Sequence, residues 1–372
     1  MRNFLSFQLS FIFALLALIG LAKPAYAAQP VQQDDPVARG KYLATIAGCT
    51  SCHTPDRAEF QNPQTLTFEQ ISTIAFDAHQ AEDTEKLLAG GRAFDLGPAG
   101  VVYSRNITPD EETGIGAWTD EQIKLSIRTG ASADGSVLFP VMPYHVYNAM
   151  ADEDLDAIVA YIRSVPAVKN EVPERTVSTE GMPTLPFNDG ILAPDPSDLA
   201  ARGAYLVNNI MGCTDCHTPV DPNTGAPQME KYLAGRQPYE GPWGIVYGGN
   251  ITPDEETGLG TWSEAELQRA LLNGIGKDGR RLILMPWYAY AGLNPQDTEA
   301  VIYYLKNTLP AVHNEIPAPS LNPDFNVIVP QEELTSFDEG SQLDSPLVLV
   351  GAGVAIMILV TIVMVVIKRK SG

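Results

Sequence analysis

The chain has 372 residues, 45 % of them apolar and 19 % charged, enough for two domains of ordinary size with their own cores. Its formal charge is −21 at pH 7, from 45 acidic against 24 basic residues. That excess argues against nucleic acid as a partner and favours partners that present basic patches.

In chain order, 1–27 has the form of a secretory signal peptide. Arg2 supplies the positive start, 4–22 the apolar body, and Ala25-Tyr26-Ala27 the small-residue cleavage site; an uncleaved anchor helix is the alternative. A helix is expected over 37–46, leading into Cys49-Thr50-Ser51-Cys52-His53. The string NITPDEETG at 106–114 recurs letter for letter at 250–258. Its Thr108-Pro109-Asp110-Glu111 reads as a capping box with proline at the first helical position, and Gly114 as a left-handed stop. A calcium site built from its acids is the sharper alternative. Helices are expected over 120–129, ended by Gly130, and over 153–164, ended before Pro166; in the second, Leu155, Ile158, Val159 and Ile162 keep helical spacing.

The repeat reaches well beyond nine residues. ARGKYLATIAGCTSCHTP at 38–55 matches ARGAYLVNNIMGCTDCHTP at 201–219 with one residue inserted, and 97–123 matches 241–267 without a gap. Val141-Met142-Pro143-Tyr144 matches Leu284-Met285-Pro286-Trp287. Two tandem globular domains are therefore expected, at 36–168 and 199–312. They differ in one place: 53 residues separate His53 from Asn106, but only 33 separate His217 from Asn250. The surplus lies around 57–85. Pro-rich links at 169–198 and 313–345 read as extended tethers with local packing. A transmembrane helix is expected at 346–367: residues 347–367 carry no charge, span roughly 30 Å as a helix, and are followed by Lys368, Arg369 and Lys370, which would keep the C-terminus cytoplasmic.

All four cysteines sit in two Cys-x-x-Cys-His motifs, Cys49, Cys52, His53 and Cys213, Cys216, His217. In an exported chain this is the attachment signature of c-type haem. Two thiols three apart can each bond one porphyrin vinyl, and the adjacent His then meets the iron. Disulfides or a four-cysteine zinc site are the alternatives; zinc would leave each motif's His idle. Two haems c are expected. Met142 and Met285, at matched places, are the candidate sixth ligands; a thioether raises the potential and closes the iron to small ligands. His145 is the rival in the first unit, but its counterpart is Tyr288. Met150, Met182, Met211 and Met229 have no matched partner and read as core or loop, and His79 and His313 as surface residues.

The early Cys-x-x-Cys-His, late Met-Pro and final aromatic helix resemble the class I cytochrome c fold. The chain is thereby expected to be all-α: two tandem class I cytochrome c domains plus the transmembrane helix. The resemblance implies that an early Gly packs on an aromatic of the last helix, Gly40 with Tyr161 and Gly203 with Tyr304. The phrases around AGGR, NITPDEETGIGAW and MPYHVYNAMADEDLDAIVAYIRSVPAV are similar to the multihaem cytochrome c subunit of membrane-bound alcohol and gluconate dehydrogenases, which typically has three haem units where this chain has two. At the haem edge, Arg92 and Arg236 suit propionates, and Tyr103, Tyr247, Trp118 and Trp262 are further candidates, as are Asn106 and Asn250. The implied function is single-electron transfer at the periplasmic face of the inner membrane. Electrons would pass from a quinol-oxidising complex or dehydrogenase subunit to a terminal oxidase or other cytochrome, without substrate chemistry of the chain's own. A haem enzyme, such as a dihaem peroxidase or thiosulfate dehydrogenase, is the alternative.

Overall fold

A computed structural model describes residues 35–62, 65–325 and 328–329, and over them the chain runs twice through one succession of elements. The first half holds α1 (Pro36–Ile46), α2 (Cys49–His53), an inserted helix α3 (Phe68–Asp77), a hairpin of β1 (Ala93–Asp95) and β2 (Val101–Tyr103), α4 (Asp120–Thr129), the short α5 (Tyr144–Tyr147) and α6 (Asp152–Ser164). The second half holds α7 (Leu199–Tyr205), α8 (Cys213–His217), β3 (Pro238–Gly241), β4 (Gly244–Tyr247), α9 (Glu264–Asn273), α10 (Trp287–Tyr290) and α11 (Pro295–Tyr303). A last strand, β5 (Ser320–Leu321), lies beside β4, so that the second sheet has three antiparallel strands and the first has two.

Two expectations are corrected here. The fold is not all-α: both halves carry an antiparallel hairpin, Phe94 opposite Val102 and Tyr239 opposite Val246. The β-branched run before each Tyr favours extended backbone, but strands of three or four residues are too short to leave a periodic signal. Nor is a single-pass placement in the inner membrane sustained: no helix among the described residues is long and apolar enough to cross a membrane. The stretch 346–367, like the signal segment 1–27, lies outside the described residues.

Local chemistry sets the helix ends. Asp35 caps α1 by accepting from the Val37 and Ala38 amides. Reciprocal capping boxes begin α4 (Thr119 with Gln122) and α9 (Ser263 with Glu266), and left-handed Gly130 and Gly274 end them. The box is thus at Thr119, not at Thr108. NITPDEETG forms no helix; it ties itself into a polar knot. Asn106 accepts from the Thr108 amide and hydroxyl and donates to Thr113 Oγ1 and to Val168 O, at 2.7–3.0 Å. Asp110 accepts from Thr113 and Glu112 amides. Gly114 is required for space: a Cβ there would lie 2.3 Å from Thr108 O. Asn250, Thr252, Asp254 and Thr257 repeat the knot bond for bond onto Val312. Each string thus clips the chain leaving the last helix, which is why its letters are fixed.

α1 crosses α6 at Gly40, where a Cβ would fall 1.8 Å from Ala157 O and 2.8 Å from Tyr161 Cβ; α7 crosses α11 at Gly203, with 2.0 Å to Ala300 O and 2.6 Å to Tyr304 Cβ. The expected glycine–aromatic pairs meet. Single-residue insertions in α7 and α11 relative to α1 and α6 are absorbed as π-turns at Leu206–Ile210 and Tyr304–Thr308.

One hydrophobic core runs through both halves, and crossed tyrosines bind them. Tyr42 on α1 donates to Asp297 on α11 at 2.6 Å, and Tyr205 on α7 donates to Asp154 on α6 at 2.7 Å. Each buried carboxylate also pairs with the arginine of its own half, Arg202 with Asp297 and Arg39 with Asp154. The link after Val168 packs locally, as expected of it. Thr176 N donates to Val101 O, and Leu185 N to Thr129 O. Arg128, fully buried, donates to Asn188 O and pairs with Asp152. In the second half β5 takes the place of Thr176, pairing Ser320 with Ile245.

Candidate functional site

Each Cys-x-x-Cys-His forms one helical turn entered through a left-handed glycine, Gly48 (φ 78°) or Gly212 (φ 64°), a conformation that an L side chain resists. The carbonyl just before that glycine is fixed from the short helix α5 or α10: Tyr147 OH donates to Ala47 O at 2.5 Å and Tyr290 OH to Met211 O at 2.8 Å. Behind the turn, the buried leucines Leu88 and Leu233 take positive φ, and the loops they begin return Gly90 N to His53 O and Gly235 N to His217 O, both at 2.6 Å. Non-glycine residues in that region are costly and mark a constrained site.

The imidazoles are oriented alike. His53 Nδ1 lies 2.7 Å from Arg105 O, and His217 Nδ1 lies 2.7 Å from Gly249 O. A carbonyl only accepts, so Nδ1 carries the proton and Nε2 presents a lone pair. Burial also pushes both imidazoles below their ordinary pKa, keeping them neutral. The four thiols are free, and burial pushes Cys49 and Cys213 up to about 12. No disulfide joins any two of them. Among the described residues no group of three or more His, Cys, Asp or Glu is arranged to hold a metal ion, so nothing there supports the zinc or calcium alternatives.

In the first half the turn opens on a cavity of about 1020 Å³. Cys49, Cys52 and His53 line it together with Met142, Pro143, Trp118 and Tyr103. Its size, its apolar lining (Ile107, Ile115, Ile123) and the donor set fit a tethered, flat, axially ligated macrocycle. The second half repeats the donor set with Met285 and Trp262, both half-buried against the core.

Arg92 is not among the residues lining the cavity; its guanidinium pairs with Asp56 at 2.6 Å, beside buried Glu82. Arg236 is exposed and donates to Glu315 O. Tyr247 is half-buried on β4. His145 bonds Asp215 of the other half's Cys-x-x-Cys-His turn at 2.9 Å, which takes it away from a ligand role. Met150 and Met211 are core, Met229 is exposed, and His79 and His313 sit near carboxylates at the surface. Sequence reasoning missed Arg105 and Arg175, which line the cavity, and the wall supplied by the 172–180 link. Arg105 has Gly249 as its counterpart, so the repeat gave no signal for it. The link left one: Asn170-Glu171-Val172-Pro173 is echoed by Asn314-Glu315-Ile316-Pro317. Asn170 and Asn314 both donate to the carbonyl ahead of the returning glycine, Ala89 O and Ala234 O.

Comparison with known proteins agrees with this geometry. Residues 37–166 match the sequence profile of the family described as Cytochrome c. The chain is 31 % identical over 292 residues to the fructose dehydrogenase cytochrome subunit of Gluconobacter japonicus, covering 73 % of this chain and 52 % of that one. It is 30 % identical to the gluconate 2-dehydrogenase cytochrome c subunit of Pantoea cypripedii, with 70 % and 56 % covered. It is 27 % identical to a diheme cytochrome c-type protein of Cereibacter sphaeroides, with 71 % and 84 % covered. The chain spans about half the length of the dehydrogenase cytochrome subunits it matches.

Proposed function

We propose, from the premise that this chain is a cytochrome c electron-transfer subunit related to those of dehydrogenases, that it holds two haems c, one in each half, and relays single electrons between a dehydrogenase and a further redox protein. The reading rests above all on the duplicated turn: in each half a His Nδ1 is clamped to a backbone carbonyl at 2.7 Å behind two free thiols. Haem c, when bound, supplies a one-electron couple at its iron.

The chain's own residues do the rest. Cys49 with Cys52, and Cys213 with Cys216, tether the group by thioethers. His53 and His217 offer Nε2 in a fixed orientation. Met142 and Met285 would offer each iron a thioether, which would favour the reduced state and exclude small ligands. Ile115, Trp118 and Ile123 exclude water in the first half, and Arg105 and Arg175 are the cations suited to its carboxylates. A dehydrogenase is the favoured electron source, because the relatives' names describe cytochrome subunits of such enzymes; a quinol-oxidising complex is the other. The acceptor is a terminal oxidase or another cytochrome, and the net charge of −21 selects partners with basic faces.

Haem counting tests the reading. Alkaline pyridine spectra and intact mass give two haems per chain, and one after either Cys49→Ala/Cys52→Ala or Cys213→Ala/Cys216→Ala. A single haem in the unaltered protein would overturn it.

A further inference from the structure

Helix α3 belongs to the first half by sequence, within the surplus that separates His53 from Asn106, yet its C-terminal end lies against the second half. The last carbonyls of a helix have no partner within it. In α3, two of them are used by the loop that carries Met285. Ala75 O accepts the Leu284 amide at 2.9 Å, and Phe76 O accepts Trp287 Nε1–H at 2.7 Å. These are the residues just before and just after Met285-Pro286. Leu284 takes a left-handed backbone (φ 62°), which an aliphatic side chain resists and surrounding contacts must hold. Its counterpart Val141 is not among the residues with positive φ.

The docking has its own small core, separate from the main one. Ala75 and Phe325 are buried in it, with Ile71, Phe76, Ile283 and Leu321 packed around them. Phe325 meets Phe68 edge-on at 4.8 Å and Phe76 at 6.1 Å. In the first half Tyr144 occupies the place of Trp287, each ring covering the glycine that ends the preceding helix, Gly130 or Gly274. The tryptophan places its indole N–H on Phe76 O.

We propose that α3 is a clamp on the methionine loop of the second half, and that Trp287 is a positioning residue that holds Met285 on its iron. The inference rests on the reading of Met285 as an axial ligand. It makes the two haems unequal: the sixth position of the second opens less often than that of the first, although their donor sets are the same.

The test uses the haem-loaded full chain in a Met142→Ala background, where the methionine-to-ferric-iron charge-transfer band belongs to Met285 alone. Cyanide, which takes the sixth position once methionine leaves, is the probe. Trp287→Phe keeps the ring and removes the donor. Phe325→Ala loosens α3 from a distance. The proposal expects Trp287→Phe to speed cyanide binding at the second haem about 2- to 10-fold, the range for one hydrogen bond, Phe325→Ala to speed it too, and both to lower the pH at which the band is lost. In a Met285→Ala background, the same changes should leave cyanide binding at the first haem unaltered. Unchanged rates and band in both variants would overturn the clamp while leaving Met285 as ligand. Absence of the band from the Met142→Ala protein itself would overturn the ligand assignment, and the clamp with it.

Discussion

Replacing Tyr42 or Tyr205 with phenylalanine removes one hydroxyl from each side of the contact between the halves and leaves the rings in place. Tyr42 donates to Asp297 at 2.6 Å and accepts from Asn294 Nδ2 at 3.0 Å. Tyr205 donates to Asp154 at 2.7 Å and accepts the Ala151 amide at 3.0 Å. Both carboxylates are almost fully buried, and each keeps its arginine in either variant. Tyr42→Phe therefore loses one hydrogen bond to a charged acceptor, about 1.5–3 kcal/mol, and the one accepted from Asn294 Nδ2, which keeps its bond to Asp297. Tyr205→Phe likewise loses its bond to a charged acceptor and also leaves the buried Ala151 N–H without its acceptor, on the order of 1–3 kcal/mol more. Urea unfolding of the haem-loaded protein, followed by far-ultraviolet circular dichroism and extrapolated linearly, reads both. The order matters as much as the size. Losses below about 0.5 kcal/mol in both variants, or a larger loss for Tyr42→Phe than for Tyr205→Phe, would refute the claim that these crossed bonds hold the halves together.

Gly40→Ala and Gly203→Ala should each cost about 3 kcal/mol, the upper end for overpacking, because the added Cβ would meet a helix carbonyl at 1.8 or 2.0 Å; thermal unfolding checks this. Asn106→Ala and Asn250→Ala should destabilise alike, on the order of 2–4 kcal/mol, since each removes the acceptor of a buried threonine amide and the donor to the segment leaving the last helix. His145 is raised above its ordinary pKa by its hydrogen bond to Asp215. A raised folded-state pKa gives stability that is complete below about pH 6.5 and lost as pH rises through the folded value. Both side chains are about half exposed, so the contribution should stay under about 1 kcal/mol. His145→Gln should flatten that part of the stability–pH curve.

Much of the site could be read from the letters because it is local or duplicated. The two Cys-x-x-Cys-His turns lie within five residues, and the repeat register alone pairs Met142 with Met285 and leaves His145 unmatched. Gly40 and Tyr161 could be paired because the fold resemblance names both places. What escaped was long-range. Nothing near Arg92 says that Asp56 and Glu82 will claim it. Nothing in 57–85 says that its helix ends against Trp287 of the other half. The hairpins were missed because strands of three or four residues carry no period. NITPDEETG misled in another way: Thr-Pro-Asp-Glu does resemble a helix start, but Asn106 two residues earlier captures the Thr108 hydroxyl first.

The central claim is two haems, each closed by its own methionine. Optical and magnetic spectra of the ferric protein, taken with a redox titration, test it most directly. Two low-spin haems are expected, with a charge-transfer band that falls by about half in Met142→Ala and by about half in Met285→Ala, because the donor sets are alike. A high-spin haem in the unaltered protein, together with rapid reduction of peroxide, would contradict the account and make the chain an enzyme.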